Sequence, residues 1–273
     1  MTKPQTSVTD DPHLLVEKPE PDIAVITLNR PSARNALSLE LIQDLHAALL
    51  ALGDDTNCAA IILTANGSVF SSGHDLKELT AHRTDADGGR TFFSETMTAC
   101  SAMMQAIVSC PKPVIAAVQG TATAAGCQLV ASCDLAVASH DAQFATPGVN
   151  IGLFCSTPMV ALSRNVSRKR AMEMLLLGEA LSAEDATSYG LINRAVASDQ
   201  VQSAALDFAR RIATKSKSTV AIGKAAFYRQ IEAPLHEAYE YAAATMVANM
   251  MSLDANEGIC AFIEKRAPAW KDQ

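Results

Sequence analysis

The sequence predicts an α/β fold, with a core of parallel strands and crossing helices followed by a helical C-terminal region. Three observations lead there. Short apolar, β-branched runs recur between segments of helical periodicity. Two of those runs open straight into loops rich in glycine and other small residues. From Ser167 onward the strand-like runs give way to helical patterns. These features divide the chain into a flexible N-terminal arm (residues 1–13), an α/β core (14–200) and a helical C-terminal region (201–273).

Taken in order, "DIAVITL" (Asp22 to Leu28) is short and β-branched and reads as a strand. "NRPSARNA" follows as a turn. Ser38 is placed to cap "LELIQDLHAALLAL", whose apolar residues recur at helical spacing. "AAIILTA" (Ala59 to Ala65) is a continuous apolar run bounded by polar residues, the pattern of a buried strand. The loop "NGSVFSSGHDLKEL" comes next, with Asp75 placed to cap a turn and Glu78 on a solvated helix face. The charged stretch around "HRTDADGGR" reads as exposed and mobile. Phe92 to Val108 has helical periodicity, "KPVIAAV" (Lys112 to Val118) is a second buried strand, and "DLAVAS" a third. Strands alternating with helices argue for parallel pairing. "RKRAMEMLLLG", "SAEDATSYG" and "VQSAALDFARRIATKS" are helical, and "EAYEYAAATMVANMM" has the alanine, methionine and aromatic content of a packing helix.

Composition narrows the function. Hydrophobic residues make up 49% and charged residues 19% of the 273 positions, as in a globular protein. A net charge of −7 and the absence of a basic run argue against a nucleic-acid surface. No stretch approaches the ~18 apolar residues of a membrane span. The first residues lack the apolar segment of a signal peptide and the arginines of a transit peptide, so the expected location is cytoplasmic. The 7 cysteines contain no CxxC and read as reduced, buried thiols. The 6 histidines lack metal-ligand spacing, so no metal is expected.

Each of the loops "SSGHDLKEL" and "GTATAAGCQL" follows a buried strand and leads into a helix. Such a junction exposes backbone N–H groups with no partner inside the helix, at the positive end of its dipole. Two of them converging on one point would stabilise an oxyanion. The small residues serve equally well for tight helix-to-sheet packing, and spacing does not separate the two. Neither loop is a GxxxxGK[ST] phosphate loop or a GxGxxG dinucleotide loop.

"NRPSARNALSLELIQDL", "FSSGHDLKEL", "KPVIAAVQGTATAAGCQLVASCDLAVAS", "AQFATPGVNIGL" and "EGICAFIEKRAPAW" occur in this order along the chain. Together they resemble the enoyl-CoA hydratase/isomerase (crotonase) superfamily, from about Leu14 to Lys271. The resemblance implies a ββα spiral core with a C-terminal helical trimerisation region, trimers often pairing into hexamers. It implies an acyl-CoA ligand, with coenzyme A as part of the substrate and no covalently bound cofactor. The thioester carbonyl would sit between the peptide N–H groups of His74 and Ala125, the latter standing where the family usually has glycine. An added methyl at Ala125 would tighten the site or alter the loop torsions. Arg34, Ala36, Ser72, His74, Asp75 and Leu76 match CoA-binding positions. Phe262 and Lys265 match positions that reach the nucleotide end of CoA, often from a neighbouring subunit.

Hydratases of this family use two glutamates to activate water and deliver a proton. Their positions here hold Gln128 and Gly148. An amide donates and accepts hydrogen bonds but takes no proton, and loss of a positioned general base costs ~10²–10⁴-fold in rate. Gln128 is open to two readings: an amide satisfying backbone groups in a tight core, or one that orients a water or an acyl carboxylate. Cys155, in "GLFCSTP", is a candidate nucleophile if its pKa is lowered, and otherwise a buried thiol. Ser156 and Thr157 suit a helix N-cap before Pro158. The expected function is therefore enolate-type chemistry on an acyl-CoA, decarboxylation or thioester hydrolysis. The alternatives are a non-catalytic acyl-CoA-binding protein and a hydratase acting through other residues.

Overall fold

The computed structural model describes residues 12–272. The N-terminal arm expected for residues 1–13 lies outside that range except for Pro12 and His13. The chain opens with β1 (Leu14–Glu20) antiparallel to β2 (Ile23–Leu28). The sequence pattern hid β1, which is charged and contains Pro19. Such a strand fits only at a sheet edge, and β1 is the edge of its sheet. α1 (Leu39–Asp54) begins where expected, with the Ser38 hydroxyl accepting from the Leu41 N–H at 3.3 Å.

The following turns of chain repeat one plan. β3 (Ala60–Ala65) and β4 (Val69–Ser71) lead into α2 (Leu76–Ala81) and α3 (Arg90–Ser109). β5 (Val114–Val118) and β6 (Thr121–Thr123) lead into α4 (Ala125–Ser132). β7 (Leu135–Ser139) and β8 (Gln143–Ala145) lead through a 3-10 turn (Pro147–Ile151) into α5 (Pro158–Asn165). Then come α6 (Arg168–Leu177), β9 (Leu181–Ser182), α7 (Ala183–Tyr189), β10 (Arg194–Val196) and α8 (Val201–Ala213). α9 (Lys217–Gln230), α10 (Leu235–Met250) and α11 (Leu253–Glu264) complete it. The five longer strands and β10 form a six-stranded sheet in the order β1-β2-β3-β5-β7-β10, parallel from β2 onward. The short ones form a second sheet, β4-β6-β8-β9, parallel but for β9. This is the ββα spiral that the family resemblance implies.

β3 and β5 are buried on both faces, which is why they read as continuous apolar runs. Their alternate residues serve two cores. Ile61, Leu63, Val114 and Ala116 join the large cluster under α1, α3 and α4. Ala60, Ile62, Ile115 and Ala117 pack against Val201, Ala205 and Ala209 of α8. α8 thus forms a layer of the core although it lies beyond residue 200. β10 also corrects the sequence reading, since it adds a parallel strand within the stretch read as wholly helical. β4, β6 and β8, of 3 residues each, are too short for periodicity to show. The charged stretch 82–90 is mostly exposed as expected, yet it is organised: His82 stacks on Phe92 at 3.6 Å between ring centroids, and Asp87 accepts from Gly89 and Thr91 N–H. Among the described residues no helix is long and apolar enough to cross a membrane.

One buried ion pair fastens the C-terminal helices to the core. The Lys224 ammonium of α9 donates to the carbonyls of Ile107 and Lys112 and to Asp134 Oδ2 at 2.7 Å. Asp134 also accepts from the Tyr228 hydroxyl at 2.9 Å and from the Val114 N–H. Burial and the neighbouring carboxylate push the Tyr228 pKa up. Breaking such a pair leaves an uncompensated buried charge. Lys224→Met should cost about 3–5 kcal/mol in urea unfolding, and Lys224→Met with Asp134→Asn should cost less than the single change.

Candidate functional site

Two loops mesh through their main chains. The Leu37 N–H donates to the Gly73 carbonyl at 2.8 Å, the Ser72 N–H to the Arg34 carbonyl at 3.1 Å, and the Asp75 N–H to the Leu37 carbonyl at 3.0 Å. Asn35, fully buried at φ 49°, works as the core of the first loop. Its amide donates to the carbonyls of Asn66 and Val69 and accepts from the Arg30 N–H. Asparagine tolerates this left-handed backbone, a signal the sequence carried in "ARNAL". Arg30 pairs with Asp75 at 3.2 Å. Asp75 Oδ1 accepts from the N–H groups of Lys77 and Glu78, the expected cap of α2. Glu78 does not behave as a purely solvated residue: its carboxylate accepts from the Leu39 N–H at 3.0 Å, tying α2 to the start of α1.

The second contact joins this pair of loops to α4. At Gly73 (φ +85°) an added Cβ would lie 2.8 Å from the Ala124 Cβ and 3.1 Å from the Ala125 nitrogen. At Gly126 it would lie 2.3 Å from the Ser71 carbonyl oxygen. Only glycine permits these approaches, and they bring the backbone of residues 73–74 against the N-terminus of α4. Neither the His74 N–H nor the Ala125 N–H donates to another described residue. Two unpaired donors at one junction can hold a developing oxyanion. Ala125 is regular helix, whereas Ala124 holds φ 50° and ψ −119°, a backbone state that favours glycine.

Three polar side chains at this junction, Gln128, Thr146 and His74, have buried atoms without a partner among the described residues. Gln128 is 5% exposed, and its amide forms no hydrogen bond to a described residue, with Oε1 buried. That removes the reading in which it satisfies backbone groups. Thr146, 1% exposed, also leaves its hydroxyl unpartnered. Sequence reasoning missed Thr146, and only its place beside Pro147 in "FATP" could have drawn attention to it. His74 Nε2 is buried without a partner, and burial lowers the imidazole pKa to about 4, so the ring is neutral at pH 7. An unmet buried polar group costs roughly 1–3 kcal/mol, so these atoms are expensive unless a ligand meets them.

Gly148 is buried, and a Cβ there would lie 2.8 Å from the Leu153 carbonyl oxygen and 2.9 Å from Cys155 Sγ. The space that a side chain at this position would need is filled. Cys155 is itself buried, which raises its pKa, while the Gly148 N–H acts in the opposite direction. No cation or base contributes to that balance, and the thiol is not an activated nucleophile. Pro158 does start α5, but Thr157 makes no side-chain cap, and the Ser156 hydroxyl donates to the Phe154 carbonyl instead.

The structure brings Arg34, Ala36, Ser72, His74, Asp75, Leu76, Ala125 and Gln128 into one region through the contacts above. Arg34 and Leu76 are exposed at its surface and Ala36 is buried. Phe262, 85% exposed, and Lys265, the left-handed residue that ends α11, sit on the outside of the C-terminal helices.

Three outcomes follow from this geometry. Gly126→Ala should cost about 3 kcal/mol in urea unfolding, since backbone cannot move aside cheaply. Ala124→Gly should gain about 1 kcal/mol: relieved strain of about 1–3 kcal/mol outweighs the added chain entropy of about 0.5–1 kcal/mol. His74 takes up a proton in the unfolded chain near its ordinary value of 6.5 but in the native protein only near 4. Its burial therefore subtracts nothing above pH 6.5 and subtracts progressively more as pH falls toward 4, by up to about 3 kcal/mol. His74→Leu should flatten that part of the stability–pH curve.

Comparison with known proteins agrees with this architecture. Residues 18–273 match the family model described as enoyl-CoA hydratase/isomerase. The chain is 48% identical over 260 residues to the rat protein named "Enoyl-CoA hydratase domain-containing protein 3, mitochondrial", covering 95% of this chain and 85% of that one. The crystal structure of human enoyl Coenzyme A hydratase domain-containing protein 3 superposes with a TM-score of 0.90 at 47% identity, covering 95% of this chain and 100% of that one. A Mycobacterium smegmatis enoyl-CoA hydratase structure gives 0.90 at 49% identity, covering 95% and 99%. The overall fold is thus shared with these proteins, and the chain belongs to the enoyl-CoA hydratase/isomerase (crotonase) family.

Proposed function

We propose that the protein binds an acyl-CoA thioester between the N–H groups of His74 and Ala125 and carries out enolate-type chemistry, with decarboxylation of a malonyl-type ester favoured. The observation that carries this reading is the contact at Gly73, which sets two unpaired N–H groups beside a site with no carboxylate at position 128 or 148. In decarboxylation the bond from C2 to the carboxyl carbon breaks and its electron pair enters the thioester as an enolate. The N–H pair stabilises the enolate oxygen, carbon dioxide leaves, and C2 takes a proton from water. No step requires a glutamate. Thioester hydrolysis, with water oriented by Gln128, uses the same donors.

Arg34, Ala36, Ser72, Asp75 and Leu76 form the CoA-facing rim in this reading. Phe262 and Lys265 reach the nucleotide end from a neighbouring copy in a trimer, or in a hexamer of paired trimers. The exposed Tyr239, Met246, Val247 and Met250 of α10 support such an assembly, because a lone chain leaves them in water. A cytoplasmic location belongs to this reading too, although the vertebrate relatives carry "mitochondrial" in their names, and fractionation of cells tests it.

A second reading, acyl-CoA binding without turnover, is favoured by one fact: Cys155 lacks an activating neighbour. Purified protein tested against malonyl-, methylmalonyl- and crotonyl-CoA separates the two. The lyase reading expects carbon dioxide release from the malonyl-type esters and hydration of crotonyl-CoA lower by at least ~10²-fold than in a two-glutamate enzyme. Binding with no turnover of any ester establishes the second reading. Gln128→Glu is expected to leave crotonyl-CoA hydration unrestored, because the Leu153 carbonyl and Cys155 occupy the place of the other carboxylate.

A further inference from the structure

We infer that Arg30 is a positioning residue for the thioester site: its guanidinium heads a relay of two peptide units that aims and polarises the His74 N–H. The inference rests on the acyl-CoA reading above and deepens it by naming the group that tunes one of its donors.

The relay is continuous. Arg30 Nη1 donates to the Ala36 carbonyl at 2.7 Å. That carbonyl shares a peptide plane with the Leu37 N–H, which donates to the Gly73 carbonyl at 2.8 Å. The Gly73 carbonyl in turn shares a plane with the His74 N–H. Both peptides are trans, so in each plane the carbonyl and the N–H point in opposite directions. Fixing the Gly73 carbonyl on Leu37 therefore turns the His74 N–H away from the first loop. The bridge between Leu37 and His74 is parallel. It is closed by the Gly73 carbonyl and the Asp75 N–H, which leaves the N–H of residue 74 itself outside the bridge. The same peptide lies against α4, since a Cβ on Gly73 would stand 3.1 Å from the Ala125 nitrogen.

The guanidinium is itself held in place. Its Nη2 donates to Asp75 Oδ2 at 3.2 Å, with the two side chains only 19% and 14% exposed. The Arg30 N–H is fixed on Asn35 Oδ1 at 2.8 Å. Asp75 also accepts from the N–H groups of Lys77 and Glu78, so its charge is shared among three donors and not spent on Arg30 alone. A hydrogen bond from a charged donor is stronger than a neutral one, and bonds in a chain polarise one another by about 10–30% each. The positive ends of the guanidinium and of both peptide dipoles point the same way along the relay. Negative charge growing on a thioester oxygen would therefore meet an aligned row of donors and not a single peptide.

Butyryl-CoA labelled with carbon-13 at the thioester carbonyl tests the relay. Isotope-edited infrared spectroscopy reads the carbonyl band, which falls in frequency as donors polarise the oxygen. Calorimetry gives the affinity, and urea unfolding gives the stability of each variant. The intact protein should bind the ester and lower the band. Arg30→Met, which has no donor, should lose about 10–30% of that lowering or more. Arg30→Gln, a neutral donor, should lose less, and Arg30→Lys, a charged donor, least. Where Arg30→Met does not fold, the difference between Arg30→Gln and Arg30→Lys reads the same effect. A band unchanged in every folded variant, whatever its loss of stability, overturns the relay and leaves the acyl-CoA reading standing, with Arg30 a clamp between loops. Equal losses in Arg30→Met and Arg30→Lys also overturn it. No binding, or binding without a lowered band in the intact protein, overturns the acyl-CoA reading together with the relay.

Discussion

The approach of residues 71–74 to the N-terminus of α4 is the contact on which the rest of the site depends. A Cβ at Gly126 would lie 2.3 Å from the Ser71 oxygen, and one at Gly73 would lie 2.8 Å from the Ala124 methyl. Two glycines therefore let successive turns of the spiral close to backbone-on-backbone distance. The first loop is held from the other side by buried Asn35 and by the Arg30–Asp75 pair. Three main-chain hydrogen bonds mesh the two loops directly, which suits a site whose proposed donors are themselves peptide N–H groups. Strain at Ala124 is the local cost of building this junction with alanine.

Several polar side chains around that junction hold buried atoms without a partner among the described residues. Gln128 and Thr146 are neutral, and burial keeps His74 neutral down to about pH 4. Cys155 is raised, not activated. A site of this kind can orient, hydrogen-bond and stabilise charge that develops on the substrate.

The C-terminal helices present a different balance. Lys224, Asp134 and Tyr228 bind α9 to the start of β7 through a satisfied buried network. Asp254, almost fully buried, accepts from the N–H groups of Lys271 and Asp272 and holds the chain end against α11. Between these anchors the apolar side chains of α10 face outward. The region is firmly attached at its ends and carries exposed apolar side chains on its outer face.

Much of the fold was legible because local physics decides it. The fully buried β3 and β5 are continuous apolar runs, α1 carries its own cap in Ser38, and "NRPSARNAL" and "SSGHDL" are dense enough in special residues to signal their loops. The residue types at positions 128 and 148, glutamine and glycine, are likewise a matter of sequence alone. What the sequence could not decide depends on partners distant along the chain. β1 is a strand only because β2 supplies an edge, and β4, β6 and β8 exist only because the spiral stacks them. Glu78 finds the Leu39 N–H only once α1 and α2 meet. The same holds for Gln128: its type was visible, but its lack of a partner is a property of the assembled interior. Thr146 gave no local signal, because an unpaired hydroxyl is defined by everything that fails to reach it.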